Sequence, residues 1–221
     1  MNFISNFKQN LMIVRMVLLL GFFQITQISY AQIPVAVMVG EKQMQHEFFF
    51  FKDIDKKGKF NVFTMGQFAV DYEQEAFNSS LMSTQITYNF VPGLGVAGGL
   101  SFSNQQFRPL VALSLAYMNK KKDFLINLFP SLIIKDQPEY ELTGLILYTP
   151  KISKNFSLLA QAFIGSTYDE KVDKHLFSFH QVRLGIGYRD WFQVGIGLDQ
   201  NFFGPEFDNF KNFGVFLRKE F

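Results

Sequence analysis

The chain contains no cysteine. That removes disulfide scaffolds, thiolate metal centres and lipid attachment through a cysteine from consideration. Charge is also scarce, at 18% of residues against about 25% in an average soluble domain. Lysine and arginine total 21 and the acids 19, so no surplus of bases exists to hold nucleic acid, and no nucleic-acid partner is expected. Intrinsic disorder is excluded by the opposite excess, since aromatic residues reach 17%. Long apolar runs are missing too. Beyond residue 31 none approaches the ~18 residues that a spanning helix needs. What is abundant is phenylalanine, with 29 residues.

Met1 to Ala31 reads as a secretory signal peptide. Lys8 and Arg15 are its only charges, Met16 to Phe23 is apolar, and Ser29 and Ala31 offer small residues at −3 and −1 of a cleavage site. The apolar stretch is short for a membrane anchor, and Gln24 and Gln27 interrupt its continuation. Without this segment 19 bases face 19 acids, so the slight basicity of the whole chain belongs to the export signal. The expected organisation is a signal peptide over 1–31 and one domain over 32–221.

That domain is written with a period of two. Phe192, Val194, Ile196 and Leu198 share one face of a strand, and Gln193, Gly195, Gly197, Asp199 and Asn201 the other. Val182, Leu184, Ile186 and Tyr188 oppose Gln181, Arg183, Gly185 and Gly187 in the same way. Segments near 81–91, 94–104 and 107–119 repeat the pattern. In 122–135 the second face is diluted by Leu125, Phe129 and Ile133. A soluble sandwich or a secreted lipocalin-like barrel would also alternate. Three features favour a membrane barrel. The strands run to about 10–14 residues, where soluble strands average about 5–6. Tyr72, Tyr88, Tyr117, Tyr148, Tyr188 and Trp191 gather at strand ends, as interfacial girdles require. The small and polar face suits the interior of a narrow barrel.

Twelve strands are expected, near 33–39, 43–52, 59–72, 81–91, 94–104, 107–119, 122–135, 138–149, 155–168, 175–189, 191–203 and 209–221. Merging or dropping the first two gives ten. The fold expected is all-β, a single transmembrane antiparallel up-and-down barrel in the outer membrane of a Gram-negative bacterium. Its partners are outer-membrane lipid, a small solute, and the barrel assembly machinery. The last is addressed through a final strand with Phe213, Val215, Leu217 and Phe221 on one face. Turns after even strands should be short and face the periplasm, and loops after odd strands longer and more acidic.

Glu47 followed by Phe48 to Phe51, the lysine-rich turn Lys56-Lys57-Gly58-Lys59, and Phe60-x-x-Phe63 leading to Asp71-Tyr72 resemble the N-terminal hairpin of the nucleoside-specific channel (Tsx-like) family. The resemblance covers residues 33–72. It implies a twelve-strand barrel with a narrow, aromatic-lined channel for nucleoside-like solutes.

Alternation sends Glu47, Asp71, Gln85, Asn127, Glu141, Gln161, Gln181, Arg183, Asp199 and Arg218 to the inner face, where they are pore-lining candidates. Phe49, Phe51, Phe63, Phe129, Phe163, Phe177 and Phe179 also fall inward, so the same residues suit a plugged structural or surface barrel without transport. Catalytic and metal residues and cofactors are not expected. Three histidines lack ligand spacing, and the glycine pairs sit inside strands rather than before helices. One lipid-active alternative exists. Ser178 and His180 share an outward face, although no third group is evident to orient the imidazole, while His46 and His175 stand apart.

Overall fold

The computed structural model describes residues 33–73, 78–103, 106–169, 174–189 and 191–221. The export segment expected over 1–31 lies outside them, as do Asp190 and parts of the loops expected to be acidic. Twelve strands run in chain order: β1 (Pro34–Gly40), β2 (Gln43–Asp53), β3 (Phe60–Asp71), β4 (Ser79–Val91), β5 (Leu94–Ser103), β6 (Gln106–Met118), β7 (Phe124–Ile133), β8 (Glu139–Tyr148), β9 (Phe156–Asp169), β10 (Lys174–Tyr188), β11 (Phe192–Phe203) and β12 (Asp208–Glu220). Every strand pairs antiparallel with its chain neighbours. β1 pairs with β12, from Pro34 opposite Glu220 to Gly40 opposite Gly214, and this closes the barrel. Closure leaves no edge strand, so no open sheet edge faces lipid.

The wall sorts side chains as the period of two dictates. Val182, Leu184, Ile186, Val194, Ile196, Val215 and Leu217 are exposed on the outside, while Gln181, Arg183, Asp199, Phe216 and Arg218 are buried inside. A soluble protein would bury the first set, so the exposed apolar coat is the surface of a transmembrane barrel. At the end where β1 begins and β12 ends, called the terminal end, rings meet in series. Phe60 lies 5.1 Å from Tyr88, Phe124 6.0 Å from Tyr148, and Phe156 5.4 Å from Tyr188 between ring centroids. Such a girdle is what the interface between hydrocarbon and water favours.

Local chemistry sets the turns. Pro92-Gly93 joins β4 to β5, and Gly93 takes φ 81, the left-handed value that the third residue of a type II turn requires. The β2–β3 turn is held by Asp55, whose Oδ1 accepts from the Phe60 amide at 2.6 Å and Oδ2 from the Lys57 amide at 3.1 Å. The anticipated contrast between short turns at the terminal end and long loops opposite does not hold. The connection 149–155 at the terminal end is as long as 72–78 at the loop end.

The interior has an apolar side and a polar one. Phe63, Met65, Leu110, Phe129, Ile133 and Leu145 form a buried cluster with Phe163 and Phe179, flanked by Phe49, Phe51, Leu81, Leu125 and Phe177. The residues that blurred the alternation in 122–135 are therefore lumen filling. Ile133 is fully buried and Phe129 stacks on Phe63, 5.1 Å between centroids, from four strands away.

Candidate functional site

The polar side of the lumen is a chain of charge-assisted hydrogen bonds built from five strands. Arg183 on β10 donates to Asp199 on β11 at 2.6 Å and to Glu47 on β2 at 3.3 Å. Gln161 on β9 donates through Nε2 to Glu47 Oε1 at 3.1 Å, and its Oε1 accepts from Arg218 on β12 at 3.2 Å. Arg218 also pairs with Glu220 at 3.1 Å and lies over the Phe49 ring, 5.2 Å from its centroid. In a ring of twelve, β2 and β9 stand nearly opposite, so the bonds of Glu47 to Gln161 and Arg183 cross the bore. Neighbouring glycines make the crossing fit. Gly197 faces Arg183 in the ladder, and a Cβ there would lie 2.9 Å from Arg183 Cδ and 2.7 Å from Met38 Sδ.

Such a layer is demanding. An isolated ion inside a low-dielectric wall costs several kcal/mol, which partners must offset. Several are incomplete: Arg183 Nε, Arg218 Nε, Asp199 Oδ2 and both polar atoms of the Gln181 amide are buried with no protein partner. Further along the wall the same is true of Asn127 Oδ1, Gln85 Oε1 and Thr87 Oγ1. Buried polar groups are nearly always hydrogen-bonded, so these atoms mark where the polar interior is least completely satisfied by side chains.

Above and below this layer the lumen opens into two mouths. The loop-end cavity, about 370 Å³, sets a phenylalanine wall from β10–β12 (Phe177, Phe203, Phe210) against serines of β4 and β5 (Ser83, Ser101). Across it Glu139 pairs with Arg108 at 3.3 Å and with Lys135, while Glu141 Oε1 accepts from Thr143 at 3.3 Å. The terminal-end cavity, about 580 Å³, is basic. Lys121, Lys122, Lys151, Arg189 and Arg218 outnumber Asp123 and Glu220 there. Between them, a void of about 20 Å³ beside Glu47, Gln161 and Gln181 is room for one water.

The ten inward candidates thus separate. Glu47, Gln161, Arg183, Asp199 and Arg218 form the crossing network. Gln85 and Glu141 line the loop-end cavity, and Asn127 and Gln181 are buried in the wall. Asp71 sits in register with Gln43 at the rim, where its carboxylate accepts from the Glu73 amide at 2.9 Å. Arg108, Lys135 and Glu139 were not anticipated as a unit. Extending the alternation of β6 back from Ala112 through Leu110 would have put Arg108 inside. Asn212 was also missed. It is fully buried, and its side-chain oxygen accepts from the Lys42 and Gln43 amides at 3.0 and 3.2 Å.

The outward pair needs correction. His175, not His180, bonds Ser178, with Nε2 2.7 Å from Oγ. A register shift between His175 and Phe177 is the cause, because the extra residue brings both side chains to the outer face. His180 packs against Phe202 instead.

No family model and no curated protein matches the chain. Solved structures with a similar chain course are outer-membrane barrels. The KdgM porin shares 13% identity at a TM-score of 0.47, over 86% of this chain and 99% of that one. The NanC porin shares 11% at 0.49, over 85% and 97%. An outer-membrane channel from Pseudomonas putida F1 shares 8% at 0.49, over 86% and 95%. None of the three is described as a nucleoside-specific channel. At such identities and TM-scores, solute and mechanism have to come from the residues of this chain.

Proposed function

We propose that this chain is an integral outer-membrane protein that passes small polar solutes through a narrow lumen held shut at rest by the Glu47–Arg183–Asp199 layer. The observation that carries this reading is the set of buried lumen atoms without protein partners, from Gln181 and Arg183 to Gln85 and Asn127. A purely structural interior would pair them or replace them by hydrocarbon, whereas a hydrated path leaves them for water and solute. Glu47, Gln161, Arg183, Asp199 and Arg218 form the constriction. Gln85 and Glu141 belong to the loop-end vestibule, and Asn127, Gln181 and Asp71 to the wall and rim. Solutes with an apolar ring face and hydroxyl edges, nucleosides among them, suit the phenylalanine and serine walls of that vestibule. Export by the segment 1–31 and recognition of the β12 strand ending at Phe221 by the assembly machinery complete the reading.

The buried cluster around Phe63 and Phe129 favours a second reading, a plugged structural barrel. Planar-bilayer conductance and liposome swelling separate the two. The channel reading expects small, brief conductance from the native barrel, and larger conductance from Arg183→Ala. A silent Arg183→Ala barrel with native heat-modifiable mobility, and no swelling with nucleosides or sugars, would leave the plug.

A further inference from the structure

The geometry points to a second, independent activity on the outer wall: Ser178 and His175 form a serine–histidine acyl-transfer centre that acts on the acyl ester of a membrane lipid. The imidazole is placed on both sides. His175 Nδ1 lies 2.7 Å from the Gly204 carbonyl and Nε2 2.7 Å from Ser178 Oγ. A carbonyl can only accept, so the ring proton is on Nδ1, and Nε2 is left to accept from the serine hydroxyl. The carbonyl therefore supplies the orienting third group that such a pair needs. It is itself fixed by the turn 204–207, where Gly204 has φ 66 and Phe207 has φ 55. Phe207 stacks on the imidazole with centroids 4.1 Å apart at 16°.

The surroundings supply a second hydroxyl and an apolar surface next to the pair. Ser178 is itself buried, beneath His175 and Ser166. Its Oγ is 2.9 Å from that of the exposed Ser166, which faces outward on β9. Ser166 also borders a shallow, open groove of about 1200 Å³ on the outer wall, whose lining includes Gly98, Pro130, Leu132, Tyr140 and Leu142. No heavy atom lies within 4 Å of where a Cβ of Gly98 would be. An acyl chain in that groove would present its ester to the Ser166–Ser178 pair at the loop-end rim.

The reaction is balanced by these groups and water. Ser178 Oγ attacks the ester carbon as its proton passes to His175 Nε2, and the Ser166 hydroxyl donates to the forming oxyanion. Collapse breaks the ester C–O bond, and the departing alkoxide takes the proton from Nε2. Water then attacks the acyl-serine while losing a proton to Nε2. Release of the fatty acid returns that proton to Ser178 Oγ. A single hydroxyl is a weaker oxyanion donor than a pair of backbone amides, so turnover should be slow.

The test uses the full barrel refolded in detergent micelles, its folding checked by heat-modifiable mobility, and a fluorophosphonate probe located by peptide mass spectrometry. Ser178 should be phosphonylated at least ten times faster than in His175→Ala, with labelling absent from Ser178→Ala and unchanged in His180→Ala. Fatty acid should be released from phosphatidylethanolamine–phosphatidylglycerol vesicles by the native and His180→Ala barrels, but not by Ser178→Ala. An unlabelled Ser178 in the folded native barrel, or labelling and release that survive His175→Ala, would overturn the assignment. Conductance plays no part in these readouts, so the result stands apart from the channel reading.

Discussion

The two sides of the lumen are closed by different physics. Around Phe63, Leu110, Phe129 and Leu145 the bore is filled by phenylalanine and aliphatic side chains, whose contacts are many, weak and tolerant of direction. Around β9–β12 and β2 it is crossed by a few charged groups, each of which must meet a named atom at the right distance. Loss of one ring on the first side leaves the rest of the packing in place. Loss of one charge on the second leaves its partner buried and alone, so that side is where a single change can open the barrel.

The largest expected effect tests this directly. Arg183→Met strips Glu47 and Asp199 of their shared cation and should cost about 3–5 kcal/mol, read as a drop in the urea midpoint of the barrel in micelles. Adding Asp199→Asn to that chain should recover part of the loss. Phe129→Ala on the opposite side should cost about 3 kcal/mol by cavity formation. Its reversal potential in a salt gradient should remain native, whereas that of Arg183→Met should shift. Equal shifts in both variants would erase the distinction between the two sides.

Gly197→Ala sharpens it. The added methyl meets Arg183 and Met38, so about 1–3 kcal/mol should be lost by overpacking, and conductance should rise as the guanidinium is pushed from Asp199. The smallest effect lies outside both sides, in the β2–β3 turn. The Phe60 amide, bonded to Asp55, holds that carboxyl below its ordinary 3.8. A depressed carboxyl stabilises the turn above the unfolded value and loses that contribution as pH falls through the folded one. The Phe60 amide resonance should therefore titrate with a midpoint below 3.8, with the lumen network unaffected.

How far these residues could be read in advance varied with how local their signal is. Phe192 to Asn201 announces its faces because each step flips the side chain, although its register with β10 and β12 comes only from the paired strands. Phe129 and Ile133 fell on the inner face by the same count, as found, but the rings and chains they would meet across the lumen could not be read from it. His175 was misjudged for another reason. Counting by twos fails across a bulge, and nothing in Lys174 to Ser178 marks where the extra residue sits.

Sequence alone determined the strands, their inward and outward faces, and thereby an apolar coat fit for lipid, since these depend only on the alternation built into an extended backbone. Closure at β1–β12, the meeting of Glu47 with Gln161 across the bore, and the pairing of Ser178 with His175 were decided by the tertiary structure. The first two join residues far apart in the chain, and the third depends on a bulge. Barrel circumference, register and bulges set such contacts, and a one-dimensional pattern carries none of them.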